Sequence, residues 1–162
     1  MKIGIIVYSK TGNTLLVAQR LQSELAQDGH TVDLERFSAE TAGPNSNLPV
    51  RLTATPDPGK YETVIFGAPV QAFSLDPAMV MYLKQMQKIP GVAAYCFVTQ
   101  HFKKPWLGGN RATRQLMSLL GQKGAPAAKS LGIVNWSCAD RDAQITEIAQ
   151  NCRRIVESAF RK

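Results

Sequence analysis

Apolar runs that each lead through a loop into a helical pattern constrain this chain more than any other feature. Residues 2–8, 63–68, 92–98 and 127–136 read as strands. The first is apolar without alternation, as expected of a strand covered on both faces. Residues 31–37 differ: Val32 and Leu34 alternate with Asp33 and Glu35, the pattern of a half-covered strand. The intervening helices are equally legible. Residues 14–27 carry Leu15, Ala18, Leu21 and Leu25 at helical spacing, with Gly29 just past the end. Asp76-Pro77 is a helix start with its cap and first-turn proline, and that helix is expected to run to about Lys88. A third helix holds Ala112, Leu116, Leu119 and Leu120 and stops near Gly121 or Gly124. A fourth spans residues 140–160, with Ile145, Ile148, Cys152, Ile155 and Ala159 on one face. Residues 38–61, polar and rich in Pro, Asn and Thr, read as irregular with at most one short helix. Five strands alternating with helices predict an α/β fold with a parallel sheet covered on both sides.

The 162 residues fit one domain spanning residues 1–162, enough chain to bury roughly 70% of its unfolded surface. No stretch of 18 apolar residues exists, so no membrane span is expected, and the short run at residues 3–7 does not have a signal-peptide layout. Cys96, Cys138 and Cys152 are far apart and form no CxxC pair. That spacing argues against structural zinc and against a disulfide framework. Buried, reduced thiols and a cytoplasmic setting are the expectation.

In parallel sheets of this kind ligands bind beyond the carboxyl ends of the strands, where strand order reverses. Three loops leave those ends. The first, Ser9-Lys10-Thr11-Gly12-Asn13-Thr14, opens directly onto a helix. The first amides of a helix lack internal partners and carry partial positive charge, which suits an anion. Gly12 lets the backbone approach closely, and Ser9, Thr11 and Thr14 each supply a hydroxyl. The pattern points to phosphate. The other two loops, residues 69–75 and 99–109, carry Phe73, Phe102 and Trp106, rings able to flank a flat heterocycle. Phosphate cradle and aromatic walls on one edge suggest a phosphorylated, planar cofactor.

With these residues the chain resembles the flavodoxin family. Ser9-Lys10-Thr11-Gly12-Asn13-Thr14 is similar to that family's S/T-x-T-G-x-T phosphate loop. Ile65-Phe66-Gly67-Ala68-Pro69-Val70 looks like the end of its third strand and the start of a flavin-flanking loop. The resemblance implies a three-layer, doubly wound, five-stranded parallel sheet in the order 2-1-3-4-5, with FMN as cofactor. Ser9, Thr11, Asn13 and Thr14, with the backbone of Lys10 and Gly12, would hold the phosphate. Pro69, Val70, Gln71, Ala72 and Phe73 would border the ring from one side. Thr99, Gln100, His101 and Phe102 would border it from the other, with Trp106 and Gly108 completing the candidate set. The implied role is electron transfer between redox partners. An NAD(P)H-dependent quinone or flavin reductase, or a non-catalytic module of the same fold, stand as alternatives.

Competing motifs are missing. There is no GxxxxGK[ST], no GxGxxG and no GxSxG, and only His30 and His101 could serve a triad. Clustered metal ligands are absent too. A bare helix cap at residues 11–14, packing of the three aromatic rings under a loop, and a solvated role for His101 remain open from the sequence alone. Charge adds a further constraint. The formal net charge is +7, concentrated between Pro77 and Ala139, where Lys84, Lys88, Lys103, Lys104, Arg111, Arg114, Lys123 and Lys129 face no Asp or Glu in sequence. Such a block speaks to partners and solubility, not to fold. With the electron-transfer role that the resemblance implies, it suggests a redox partner with an acidic docking surface; nucleic acid is not expected, since no recognised module accompanies the charge.

Overall fold

A computed structural model describes residues 1–162. A parallel sheet of five strands forms the middle layer: β1 (Lys2–Tyr8), β2 (Thr31–Thr41), β4 (Thr63–Gln71), β6 (Ala93–Gln100) and β7 (Lys129–Asn135). Their spatial order is β2-β1-β4-β6-β7, the expected order 2-1-3-4-5 in the numbering of the parallel strands. An antiparallel strand, β3 (Pro49–Thr53), extends the sheet beyond β2, and a two-residue strand, β5 (Ser74–Leu75), turns back along the end of β4. Helices α1 (Asn13–Gln27) and α4 (Arg141–Phe160) cover one face, and α2 (Pro77–Gln85) and α3 (Gly109–Gln122) the other. No helix is long and apolar enough to cross a membrane.

Strand alternation divides the interior into two cores. Ile3, Ile5 and Val7 of β1, Ile65 of β4 and Phe97 of β6 pack beneath Val17, Leu21, Ile145 and Ile148 of α1 and α4. Ile6, Val64, Phe66, Cys96 and Val98 face Met79, Leu83, Leu116 and Leu120 of α2 and α3. The doubly wound arrangement explains the unbroken apolar runs: both faces of the central strands are removed from water.

Residues 38–61 depart from the expectation of irregular chain. The strand that begins at Thr31 continues to Thr41 and pairs with β3, with a shift of register at Glu40/Thr41. The hydroxyls of Ser38 and Thr53 bond across the pair, Arg51 reaches Glu40 at 2.6 Å, and Leu52 reaches the core. Only a 3-10 turn at Pro58–Lys60 is helical. α2 ends at Gln85 rather than near Lys88. The Lys123 ammonium donates to the carbonyls of Lys84 and Met86, satisfying the helix end at that point. The last strand begins at Lys129, not at 127, because Ala125 and Ala128 are tied into turns behind α3.

Candidate functional site

From β1 the chain passes through α1 to β2 on one side, whereas β4 lies on the other side of β1, so strand order reverses between β1 and β4. A cleft of about 200 Å³ opens at that point. Lys10, Thr11, Asn13 and Thr14 form one wall; Pro69, Val70, Gln71 and Asp76 form the second; Thr99, Gln100 and His101 form the third. All three predicted loops therefore meet in one place.

The loop after β1 is held by its own serine. Ser9 is buried, and its Oγ accepts from the backbone N–H groups of Gly12 (3.1 Å) and Leu15 (3.3 Å). Ser9 thus braces the loop from behind. Gly12 takes a left-handed conformation (φ 98°) as it enters α1, a region that costs other residues strain. The amides of Lys10, Thr11, Asn13 and Thr14 have no protein acceptor, and no acidic side chain occupies the first turn of α1. The buried Thr14 hydroxyl lies 2.8 Å from that of Thr99. With Thr99 as donor, the Thr14 proton is free for the cleft. Two residues the sequence did not single out complete the support. Arg36 on β2 donates from Nε (3.1 Å) and Nη2 to the Ser9 carbonyl, and Asn47, near the tip of the β2–β3 hairpin, accepts from the Lys10 ammonium at 2.8 Å.

The second wall is strained. Gln71 pairs with Ser74, so Ala72 and Phe73 form a two-residue turn, and both have positive φ (49° and 61°). Such turns favour Asn-Gly, and each non-glycine residue held there costs about 1–3 kcal/mol. Gln115 on α3 secures the turn, its Oε1 accepting from Ser74 Oγ (2.9 Å) and Leu75 N–H (2.8 Å). Phe73 is consequently held out in solvent, where it stacks on Phe102 with centroids 5.3 Å apart and planes within 7°. His101 meets Phe102 edge-on at 6.1 Å.

Gln100 organises the third wall. Its Nε2 donates to the Lys104 carbonyl (2.7 Å) and to Asn135 Oδ1, while its Oε1 is buried without a partner. Trp106 stands apart from the cleft, exposed, with the Lys104 ammonium 5.5 Å from its ring centre. Gly108 does not line the cleft either; it packs against Val70 and the backbone of Phe73, joining the second and third walls. Ala72, Phe73 and Phe102 sit at the rim rather than among the lining residues.

Asp76 was legible only as a helix cap, and its Oδ1 does accept from Ala78 N–H at 2.9 Å. It is also a wall of the cleft. Burial pushes its carboxyl above the usual range, against the Ala78 N–H bond and the Lys10 charge, which act to lower it. Of the thiols, Cys96 and Cys152 are buried as expected and pushed up to about 12 by that burial, so they are inert; Cys138 is half-buried beside the Lys103 carbonyl.

No protein-family model and no curated protein sequence matches the chain. Its fold does have known counterparts. A flavodoxin from Streptococcus pneumonia superposes with a TM-score of 0.69 at 14% identity, covering 98% of this chain and 99% of that one. Flavodoxin 1 from Bacillus cereus gives 0.65 at 16% identity, covering 97% and 98%. A flavoprotein from Lactobacillus acidophilus, solved in complex with FMN, gives 0.59 at 16% identity, covering 88% and 97%. The chain has the flavodoxin-like fold.

Proposed function

We propose that the protein binds FMN in the cleft between β1 and β4 and carries electrons between redox partners in the cytoplasm. The observation that carries this reading is the convergence of four free amides and the Thr11 and Thr14 hydroxyls on one cleft, with the stacked rings of Phe73 and Phe102 at its rim. The donor set fits a phosphate monoester: it is neutral and directional, with the Lys10 ammonium at its edge. The rings of Phe73 and Phe102 suit a flat heterocycle, which stacks on aromatic side chains by its faces. Bound FMN would supply the one- and two-electron chemistry; the protein sets how readily electrons are taken up.

Thr11→Ala is expected to weaken FMN by roughly 1–3 kcal/mol, the range for losing a hydrogen bond to a charged group. Quenching of flavin fluorescence on titration measures this. Riboflavin, lacking the phosphate, should respond far less. Unaltered FMN affinity would count against the phosphate assignment.

Lys103, Lys104, Arg111 and Arg114 are exposed and make no ion pair. Lys103 and Lys104 directly follow Phe102, and the four cations together suit a partner with an acidic docking surface, whose encounter they would accelerate at low salt. Lys103 and Lys104 would also stabilise negative charge gained by a reduced flavin. Lys103→Glu/Lys104→Glu is therefore expected to make the second reduction step more negative in potential. A reductive titration with no shift would remove that role. Bleaching of the FMN-loaded protein only in the presence of a separate reductase supports the carrier. Rapid bleaching by NADPH alone would instead identify an NAD(P)H-dependent reductase.

A further inference from the structure

A carboxylate is an unexpected wall for a phosphate cleft, and Asp76 is 6% exposed there. Its position is fixed at both ends. The Asp76 backbone N–H donates to the Pro69 carbonyl at 3.1 Å, and its own carbonyl accepts from Val80 N–H at 3.2 Å, the first turn of α2. Oδ1 is committed to the Ala78 N–H cap. Oδ2 has no protein partner, yet it is not sealed in the interior, since Gln100 Oε1 is the sole buried side-chain atom left without one. A desolvated acceptor that opens on a cleft calls for a donor from the cleft.

The nature of the donor follows from place. Asp76 shares the cleft with the phosphate loop on one side and with Pro69, Val70, Thr99 and His101, which lead to the aromatic rim, on the other. Its N–H is bonded to the Pro69 carbonyl and its carboxyl feels the Lys10 charge, so it borders both the phosphate loop and the strand end that leads to the rim. An anion there would be repelled by a carboxylate of like sign, and the apolar face of a flat ring would leave Oδ2 unsatisfied. A hydroxyl-bearing linker has neither defect: it is neutral and donates O–H.

We propose that Asp76 is a specificity-determining residue for the sugar-alcohol chain of the cofactor, its Oδ2 accepting an O–H hydrogen bond from that chain. The inference rests on the FMN reading and deepens it, assigning to one carboxylate the recognition of the segment that joins anion to ring. Charge-assisted acceptance of a hydroxyl is stronger than a neutral bond and is lost when the oxygen becomes an NH2 donor.

Asp76→Asn is the sharp test, because Asn retains the Oδ1 cap and the shape of the side chain while replacing the cleft-facing acceptor. Binding of FMN, riboflavin and lumiflavin to wild type and variant is followed by fluorescence titration, with thermal unfolding as a check on folding. Riboflavin retains the polyol but not the phosphate, and lumiflavin lacks both. The expected result is a loss of at least about tenfold for FMN and riboflavin alike, with lumiflavin unchanged. Tighter FMN binding by the variant would mean that the carboxylate merely repels phosphate, and would overturn the proposal. Equal losses for all three ligands, or none, would overturn it as well. Wild-type protein that binds no flavin would remove the FMN reading itself and this inference with it. Flavin binding that ignores Asp76→Asn removes only the latter.

Discussion

Phe97→Ala is expected to lower the free energy of unfolding by about 3–5 kcal/mol, the range for emptying a buried aromatic site. Phe97 is fully buried on β6, among Ile5, Ile65, Leu21 and Ile148. In register it pairs with Gly67 of β4, and a Cβ at Gly67 would lie 2.3 Å from Phe97 Cζ, overlapping the tip of the ring. The ring thus fills the volume that a side chain at 67 would take. The two positions behave as one packing unit: Gly67→Val alone is also costly, since the ring must move in a close-packed interior. In the double variant the valine occupies part of the hollow left by the ring. The coupling between the two substitutions should therefore be favourable and of order 0.5–3 kcal/mol. Urea denaturation with unchanged slope measures all three variants. A loss below about 1 kcal/mol for Phe97→Ala, or strict additivity in the double variant, would contradict this account.

That glycine also shows which parts of the fold were legible from sequence. β1, β4 and β6 announce themselves because burial on two faces demands continuous apolar runs, and those survive without any knowledge of neighbours. The helices do so because Asp76-Pro77 and Gly29 mark their ends by local chemistry. β3 carries no such mark. Only Leu52 of its five residues is buried, Val50 points to solvent, and Arg51 is held by Glu40 across the pair. Its pairing is a tertiary fact, and an edge strand with one buried residue has no period to detect.

The site divides in the same way. The phosphate loop is contiguous, so six successive residues suffice to suggest it. Arg36 is not, because its reach to Ser9 depends on the parallel register that sets Arg36 beside Val7. Asp76 was visible as a cap, but the second oxygen gains its meaning only when β4 and β5 fold back and bring Pro69 against it. For Phe73 and Phe102 the residue types were legible and their mutual stack was not. That stack follows from two positive φ values at Ala72 and Phe73, which no propensity for alanine or phenylalanine would suggest.

Gly108→Val should uncouple the two loops that present this aromatic pair. Gly108 has φ 113°, and a Cβ there would lie 2.7 Å from Val70 Cγ1 and 2.8 Å from the Phe73 Cα. The side chain of Val70 can yield, but the backbone of Phe73 cannot without moving the strained turn at 72–73. Moving that turn takes the Phe73 ring away from Phe102. With one stacking surface displaced, FMN affinity is expected to fall by roughly 1–3 kcal/mol, the scale of a single ring-on-aromatic contact. Stability falls as well, since valine tolerates positive φ poorly. Gly91→Val separates the two effects. Gly91 also has positive φ (80°), but a Cβ there meets nothing within 4 Å. It incurs comparable backbone strain, of about 1–3 kcal/mol, without touching the loops of the site. The prediction is therefore a pattern: a loss of thermal stability in both variants, larger for Gly108→Val because its side chain also clashes, with weakened flavin only for Gly108→Val. Flavin affinity that falls equally in both, or in neither, would show that the close approach of Gly108 to Phe73 does not shape the site.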